Sequence, residues 1–340
     1  VMEARRAELA SWLATRAEAR GAEILSFARL SGGAIQENWA LDVAFTGGPL
    51  EGRHALVIRT DAPSGVAVSL GRPQEFALFQ AAFAAGVTVP EPLWQDADGG
   101  VLGKPFFVMR RVGGIASGHR LVKDATAGGG RVALTEALGR ELARVHSIRP
   151  PRSELAFLGP PPASPARRWI AEFRGWLDRH EAAHPALEWG LRWLERHAPD
   201  TPEPTLCHND FRTGNIMVDA QGVTGILDWE FAGWGDPLAD IGWFCAPCWR
   251  FGALERQAGG IGAREDFYRG YERERGAPID PSRVPYWEAM ATLRWAIIAL
   301  QQAERHVSGG ERNLELALTA HIVPALELDI LEMTREHDHA

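Results

Sequence analysis

The chain has 340 residues, of which 46% are hydrophobic and 24% charged, and a formal net charge of −8 at pH 7. A chain of this length buries a large core and is long for one domain, so two lobes are expected. The acidic balance, with no basic stripe along any predicted helix, argues against a nucleic-acid partner, and no apolar run approaches the ~20 residues of a membrane span.

The N-terminal stretch from Met2 to Gly21 is rich in Arg, Glu and Ala, with Leu9, Trp12 and Leu13 at helical spacing. It reads as a surface helix and lacks the apolar core of a secretory signal. Three strands are predicted over Glu23 to Leu30, Asn38 to Phe45 and His54 to Thr60, with turns at Ser31-Gly32-Gly33 and Gly47-Gly48. A helix follows from Arg72 to Ala85, then strands over Thr88 to Trp94 and Pro105 to Val112. Beyond Gly113-Gly114 the pattern turns helical: Arg131 to Ser147, Ala166 to His184, Leu187 to Ala198, Arg264 to Gly276, Arg283 to His306 and Asn313 to Glu336. These elements predict an α+β chain in two parts, a five-stranded antiparallel sheet with one inserted helix over residues 1–112 and a helical part over 113–340.

Three cysteines are too few for a disulfide framework and fit a reducing cytoplasm. Cys245 and Cys248 form a C-x-x-C, but Trp243, Phe244 and Trp249 surround it and no second pair accompanies it. Buried thiols acting as small hydrophobes are the expectation there. Most of the tryptophans also read as core: Trp189 and Trp193, and Trp169 and Trp176, fall at spacings that share a helix face, and a subset is left to wall a binding pocket.

The most informative stretch runs from Leu206 to Glu230 and reads LCHNDFRTGNIMVDAQGVTGILDWE. Two β-prone segments, Asn215 to Asp219 and Val223 to Leu227, are joined by Ala220-Gln221-Gly222 and predict a hairpin that gathers Asp210, Asn215 and Asp228 at one end. Phosphoryl transfer needs a carboxylate to orient the attacking hydroxyl and oxygen ligands for magnesium. Asp210 is the candidate base, Asn215 and Asp228 are the candidate metal ligands, and His208 reads as support for the loop. The spacing is that of the catalytic and metal loops of protein kinases, but Asn209 stands where that motif has arginine and Asp228-Trp229-Glu230 where it has D-F-G.

With Gly225-Ile226-Leu227-Asp228-Trp229-Glu230 and Gly235-Asp236-Pro237-Leu238-Ala239-Asp240-Ile241, the chain resembles the aminoglycoside phosphotransferase family of small-molecule kinases. The His208-Asn209-Asp210 start is also similar to choline kinases of that superfamily. The resemblance implies a protein-kinase-like bilobal fold, an ATP or GTP cofactor with Mg2+, and a small-molecule hydroxyl acceptor. It puts Arg59, where many relatives carry lysine, on the third strand with Glu75 as its carboxylate partner. Ser31, Gly32 and Gly33 fall at the phosphate loop, and Met109 and Arg110 at a hinge facing adenine. Arg212, two residues after the base, is placed to neutralise the moving phosphoryl group. Asp236 before Pro237 fits a helix N-cap, and the resemblance implies that Asp240 bonds the catalytic-loop backbone.

The acceptor cannot be read from the motif. Clustered carboxylates suited to an aminoglycoside occur only as Glu327, Asp329 and Glu332 near the end of the chain, whereas Trp169, Trp176, Trp287 and Trp295 are plentiful. An acceptor less cationic than an aminoglycoside is therefore expected, walled by the helices of Ala166 to Ala198 and Arg283 to Glu336. Rival readings are a catalytically silent nucleotide-binding module, a kinase of hydroxyacyl thioesters, and a metal-dependent phosphohydrolase built on Asp210, Asp228 and His208.

Overall fold

A computed structural model describes residues 5–30, 36–62, 69–201, 203–310 and 313–335, and the predicted glycine loop Ser31-Gly32-Gly33 lies outside these. The chain divides into two compact units, one of Val1–Gly114 with Thr224–Phe231 and one of Ile115–Val223 with Ala232–Ala340. The first unit thus runs two residues past 112 and includes Thr224–Phe231 from within the 113–340 range.

The sheet unit opens with helix α1 (Arg6–Arg16), followed by strands β1 (Gly21–Arg29), β2 (Gln36–Thr46) and β3 (Gly52–Asp61), helix α2 (Arg72–Ala84), and strands β4 (Pro92–Asp96) and β5 (Phe106–Arg110). The five strands form one antiparallel sheet in the order β1-β2-β3-β5-β4. The period-two alternation of β5 divides its side chains between two sets of partners. Phe106 and Val108 join Leu9 and Leu13 of α1 and Leu41, Val43, Leu56 and Ile58 of the central strands in one buried cluster. Phe107 instead meets Phe76 and Phe79 of α2, with ring centres 5.6 and 5.5 Å away. Each such buried ring contributes roughly 1.5–3 kcal/mol relative to an exposed one.

Strand β4 begins later than the sequence predicts. The carbonyl of Thr88 accepts a hydrogen bond from the amide of Ile226 at 2.7 Å, so Thr88 is engaged outside the five-stranded ladder. Gly225 packs against Pro90 and Val112 in the same unit.

The helical unit contains the helices Arg131–Val145, Pro165–Leu177, Pro185–Arg196, Pro237–Cys245, Arg264–Arg275, Val284–Val307, Leu314–Thr319 and Val323–Arg335. Arg131–Val145 and Arg264–Arg275 pack with their backbones in close approach. A Cβ at Gly139 would strike the carbonyl of Phe267, and one at Gly270 that of Glu136. The predicted helix from Asn313 to Glu336 is broken into two, with Pro324 opening the second, consistent with a residue that cannot donate inside a helix. Trp193 is buried whereas Trp189 of the same helix is 44% exposed and donates its indole N–H to Thr334, so the two do not share the core. Among the described residues, no helix is long and apolar enough to cross a membrane.

Candidate functional site

In the helical unit, the short strand Thr205–Cys207 pairs antiparallel with Gly233–Gly235 and delivers the chain into the loop that carries Asp210. Asn209 adopts the left-handed conformation at φ 61°, which asparagine tolerates better than most residues. Asp240, buried in the helix Pro237–Cys245, holds this turn from below: its Oδ2 accepts from the amide of His208 at 2.6 Å and its Oδ1 from the amide of Asn209 at 2.8 Å. Burial alone would raise the pKa of Asp240, but its contacts with His146 and His208 outweigh that and lower it, so it remains a carboxylate. His146 lies 3.2 Å from Asp240 Oδ2 and, through its other ring nitrogen, 2.8 Å from the hydroxyl of Tyr271. Neither His146 nor Tyr271 carries a motif, and sequence reasoning missed both.

Asp210 is held on both carboxylate oxygens. Arg212 Nε and the indole Nε1 of Trp243 each donate to Oδ1 at 3.1 Å, while Asn215 Nδ2 donates to Oδ2 at 2.5 Å. Asp210 and Asn215 are thus brought together, and the amide of Asn215 keeps its Oδ1 as an oxygen donor. Arg212 does more than the sequence suggests, because it pairs with Asp210 and lies 4.8 Å over the ring of Trp249. His208 is buried and its Nδ1 accepts from the amide of Asp210 at 3.2 Å. Asp236 caps its helix, accepting from the amide of Leu238 at 2.8 Å. The connection after Val218 is closed by the amide of Asp219 donating to the carbonyl of Gly222 at 3.0 Å, with Asp219 Oδ1 accepting from the amides of Gln221 and Gly222.

The sheet unit carries a separate charged cluster around Arg59. The guanidinium faces both oxygens of Glu75, with Nε donating to Oε2 at 3.0 Å and Nη2 lying 2.8 Å from Oε1, and Nη2 also donates to Asp228 Oδ1 at 2.8 Å. Lysine has one ammonium where arginine has a planar fork, so this three-way contact depends on the residue that departs from the family pattern. Arg59 stays charged: burial lowers its pKa, but Glu75 and Asp228 raise it further. A second buried arginine, Arg72, pairs with Glu75 and with Asp61, the latter at 2.9 Å. No motif marks Arg72 in the sequence. Glu230 is also buried and bonds Gln36, and its pKa is pushed up to about 7, by burial first and then by the charges of Glu75 and Asp228 against the opposing pull of Arg59.

The backbone amide of Arg110 donates to the carbonyl of Glu91 at 3.0 Å, and its side chain pairs with Glu91 at 2.5 Å, so both donors are engaged within the sheet unit. Met109, its neighbour, is buried within β5. Burial pushes the Cys245 thiol up to about 12 and raises that of Cys248 as well. Among the described residues, the His146, Cys207 and Asp240 trio lies within metal-ligating reach, but Asp240 is committed to two backbone amides and His146 to Tyr271.

The carboxylate of Asp228 and the amide oxygen of Asn215 are hard oxygen donors, the type that magnesium takes. Both residues are positioned within their own units by named hydrogen bonds, so the donor chemistry fits that ion.

Comparison with known proteins follows the same lines. A sequence profile of the phosphotransferase enzyme family matches residues 26–277. The chain is 29% identical over 284 residues to acyl-CoA dehydrogenase family member 11 of Pongo abelii, an alignment covering 77% of the chain and 35% of that protein. The chain therefore spans about a third of the length of the curated relatives it matches. Among solved structures, a Ralstonia eutropha protein assigned provisionally as an aminoglycoside phosphotransferase aligns with a TM-score of 0.77 at 20% identity, covering 97% of this chain and 98% of that one. A thermostable aminoglycoside phosphotransferase in complex with AMP-PNP and hygromycin B aligns with a TM-score of 0.58 at 15% identity, covering 96% of this chain and 98% of that one. With the profile spanning most of its length, the chain belongs to the phosphotransferase enzyme family and has that family's kinase-like α+β fold.

Proposed function

We propose that this chain is a nucleotide-dependent kinase that phosphorylates a hydroxyl of a small molecule. The observation that carries the reading is the Asp210 carboxylate, fixed on both oxygens by Arg212, Trp243 and Asn215 on a loop that Asp240 holds by its backbone. A carboxylate so positioned can accept one proton and hold one hydroxyl in a single orientation. The nucleoside triphosphate supplies the phosphoryl group, the new O–P bond forming as the bond to the leaving diphosphate breaks with its electron pair. Asp210 takes the hydroxyl proton and aims the oxygen. Arg212, beside Asp210, balances negative charge near that oxygen. Asn215 and Asp228 are the proposed magnesium ligands, and Arg59, anchored by Glu75, the proposed phosphate contact. An ATP cofactor is supported by the neighbour crystallised with AMP-PNP, and GTP by a neighbour crystallised as a GDP complex.

The name of the curated relatives refers to acyl-CoA substrates, which supports a hydroxyacyl thioester as a second class of acceptor. A screen of hydroxylated metabolites, hydroxyacyl thioesters and antibiotics, read by diphosphate release with ATP or GTP and magnesium, tests the reading. Acceptor-dependent release that is lost in Asp210→Asn is the expected result. Magnesium-dependent nucleotide binding without any turnover would leave only a silent binding module.

A further inference from the structure

A small cavity beside the catalytic loop is lined by Trp169, Asn209, Asp240, Trp243, Trp287 and Arg294, together with smaller side chains. Its wall is joined to the base directly, because Trp243 is the residue whose indole N–H bonds Asp210. Arg294 projects from the helix Val284–Val307, and its guanidinium carbon lies 4.4 Å from the ring centre of Trp243 and 4.8 Å from that of Trp169. Its Nη1 donates to the carbonyl of Asn209 at 2.7 Å.

Several other guanidiniums of this unit have carboxylate partners, whereas Arg131 bonds the carbonyls of Ile261 and Val122. Arg250 and Arg264 share Glu288, Arg174 pairs with Glu188 and Glu195, and Arg144 with Glu141 and Glu274. Arg294 forms no ion pair among the described residues. Asp210, Asp240 and Glu172 act on it only at longer range; the first is engaged by Arg212, the second by His146 and two amides, and the third sits exposed. A largely desolvated cation without a carboxylate is costly, and stacking on two indoles offsets only part of that cost. What remains is a planar set of N–H donors matched to an oxyanion.

We infer that the acceptor carries an oxyanion, a carboxylate or a phosphate, which Arg294 binds while Trp169 and Trp243 wall its carbon frame and its hydroxyl meets Asp210. This rests on the kinase reading and narrows it. The one carboxylate in the cavity lining, Asp240, is occupied, so nothing there suits the ammonium groups of an aminoglycoside.

The test uses matched acceptors: short hydroxycarboxylates and their primary amides, with glycerol 3-phosphate and glycerol as the phosphate arm. Product is read by phosphorus NMR with ATP and magnesium. Acids, or the phosphate ester, should exceed their neutral partners by about tenfold or more in kcat/KM, the scale of a charge-assisted contact. The arm that responds identifies the oxyanion. Arg294→Gln should raise KM for the anionic acceptors far more than it changes kcat and bring the ratio toward one, whereas Arg294→Lys should keep the preference. A purely structural Arg294 would lower kcat for all acceptors alike, and that outcome, or equal turnover of acids and amides, overturns the inference. If none of these acceptors is phosphorylated, tryptophan fluorescence titrated with the same pairs decides the subsite without relying on turnover. Anion-selective quenching lost in Arg294→Gln would support it, and equal responses would overturn it.

Discussion

Trp243 donates its indole N–H to Oδ1 of Asp210 at 3.1 Å while its ring face carries the guanidinium of Arg294 at 4.4 Å. One side chain therefore orients the candidate base and forms part of the cavity wall. Trp243→Phe keeps a ring in place but removes the donor. Loss of a hydrogen bond to a charged group is worth about 1.5–3 kcal/mol, so kcat should fall roughly tenfold or more. A change in melting temperature with kcat intact would assign Trp243 to packing alone.

Asp210→Asn should preserve the fold and nucleotide binding while lowering turnover by about 100-fold or more, the scale of a positioned base. Nucleotide-dependent thermal shifts and a coupled assay measure the two halves of this expectation. Turnover within a few-fold of the parent would remove Asp210 from its role.

Glu75 is buried between Arg59 and Arg72 and pairs with both of these buried guanidiniums. Glu75→Ala leaves two buried cations short of a counter-charge, so the protein should lose about 3–5 kcal/mol of stability, the usual cost of breaking a buried pair from one side. Urea unfolding followed by circular dichroism reads the loss; an effect below about 1 kcal/mol would mean water reaches the cluster.

Replacing Cys245 and Cys248 by serine should leave activity unchanged. Burial raises both thiols and pushes that of Cys245 up to about 12, so below that pH it stays protonated and reacts slowly with thiol reagents until the protein unfolds. Stoichiometric zinc in the purified protein, or activity that follows thiol redox state, would contradict this.

Gly139→Ala should destabilise the helical unit by about 1–3 kcal/mol or more, because the new Cβ meets the carbonyl of Phe267 and backbone cannot yield as a side chain does. An alanine variant as stable as the parent in thermal unfolding would show that the two helices can separate without cost.

Local chemistry made part of this molecule legible from the sequence alone. Alternation marked the strands that became β1, β2, β3 and β5, proline and the Asp236 carboxylate marked the start of the helix Pro237–Cys245, and the fixed spacing from Asp210 to Asn215 marked a loop that closes on itself by a hydrogen bond. These features are set by neighbours a few residues apart, which is the range over which backbone geometry acts. The tertiary structure decided what depends on distant partners. Arg72 turns on Glu75 and Asp61 instead of water, Trp243 reaches back 33 residues to Asp210, and His146 and Tyr271, separated by 125 residues, meet where one of them supports Asp240. The same side chain types occur elsewhere on this chain as exposed arginines and packed tryptophans, and only the packing of helices, which no periodicity encodes, determines which of them face Asp210.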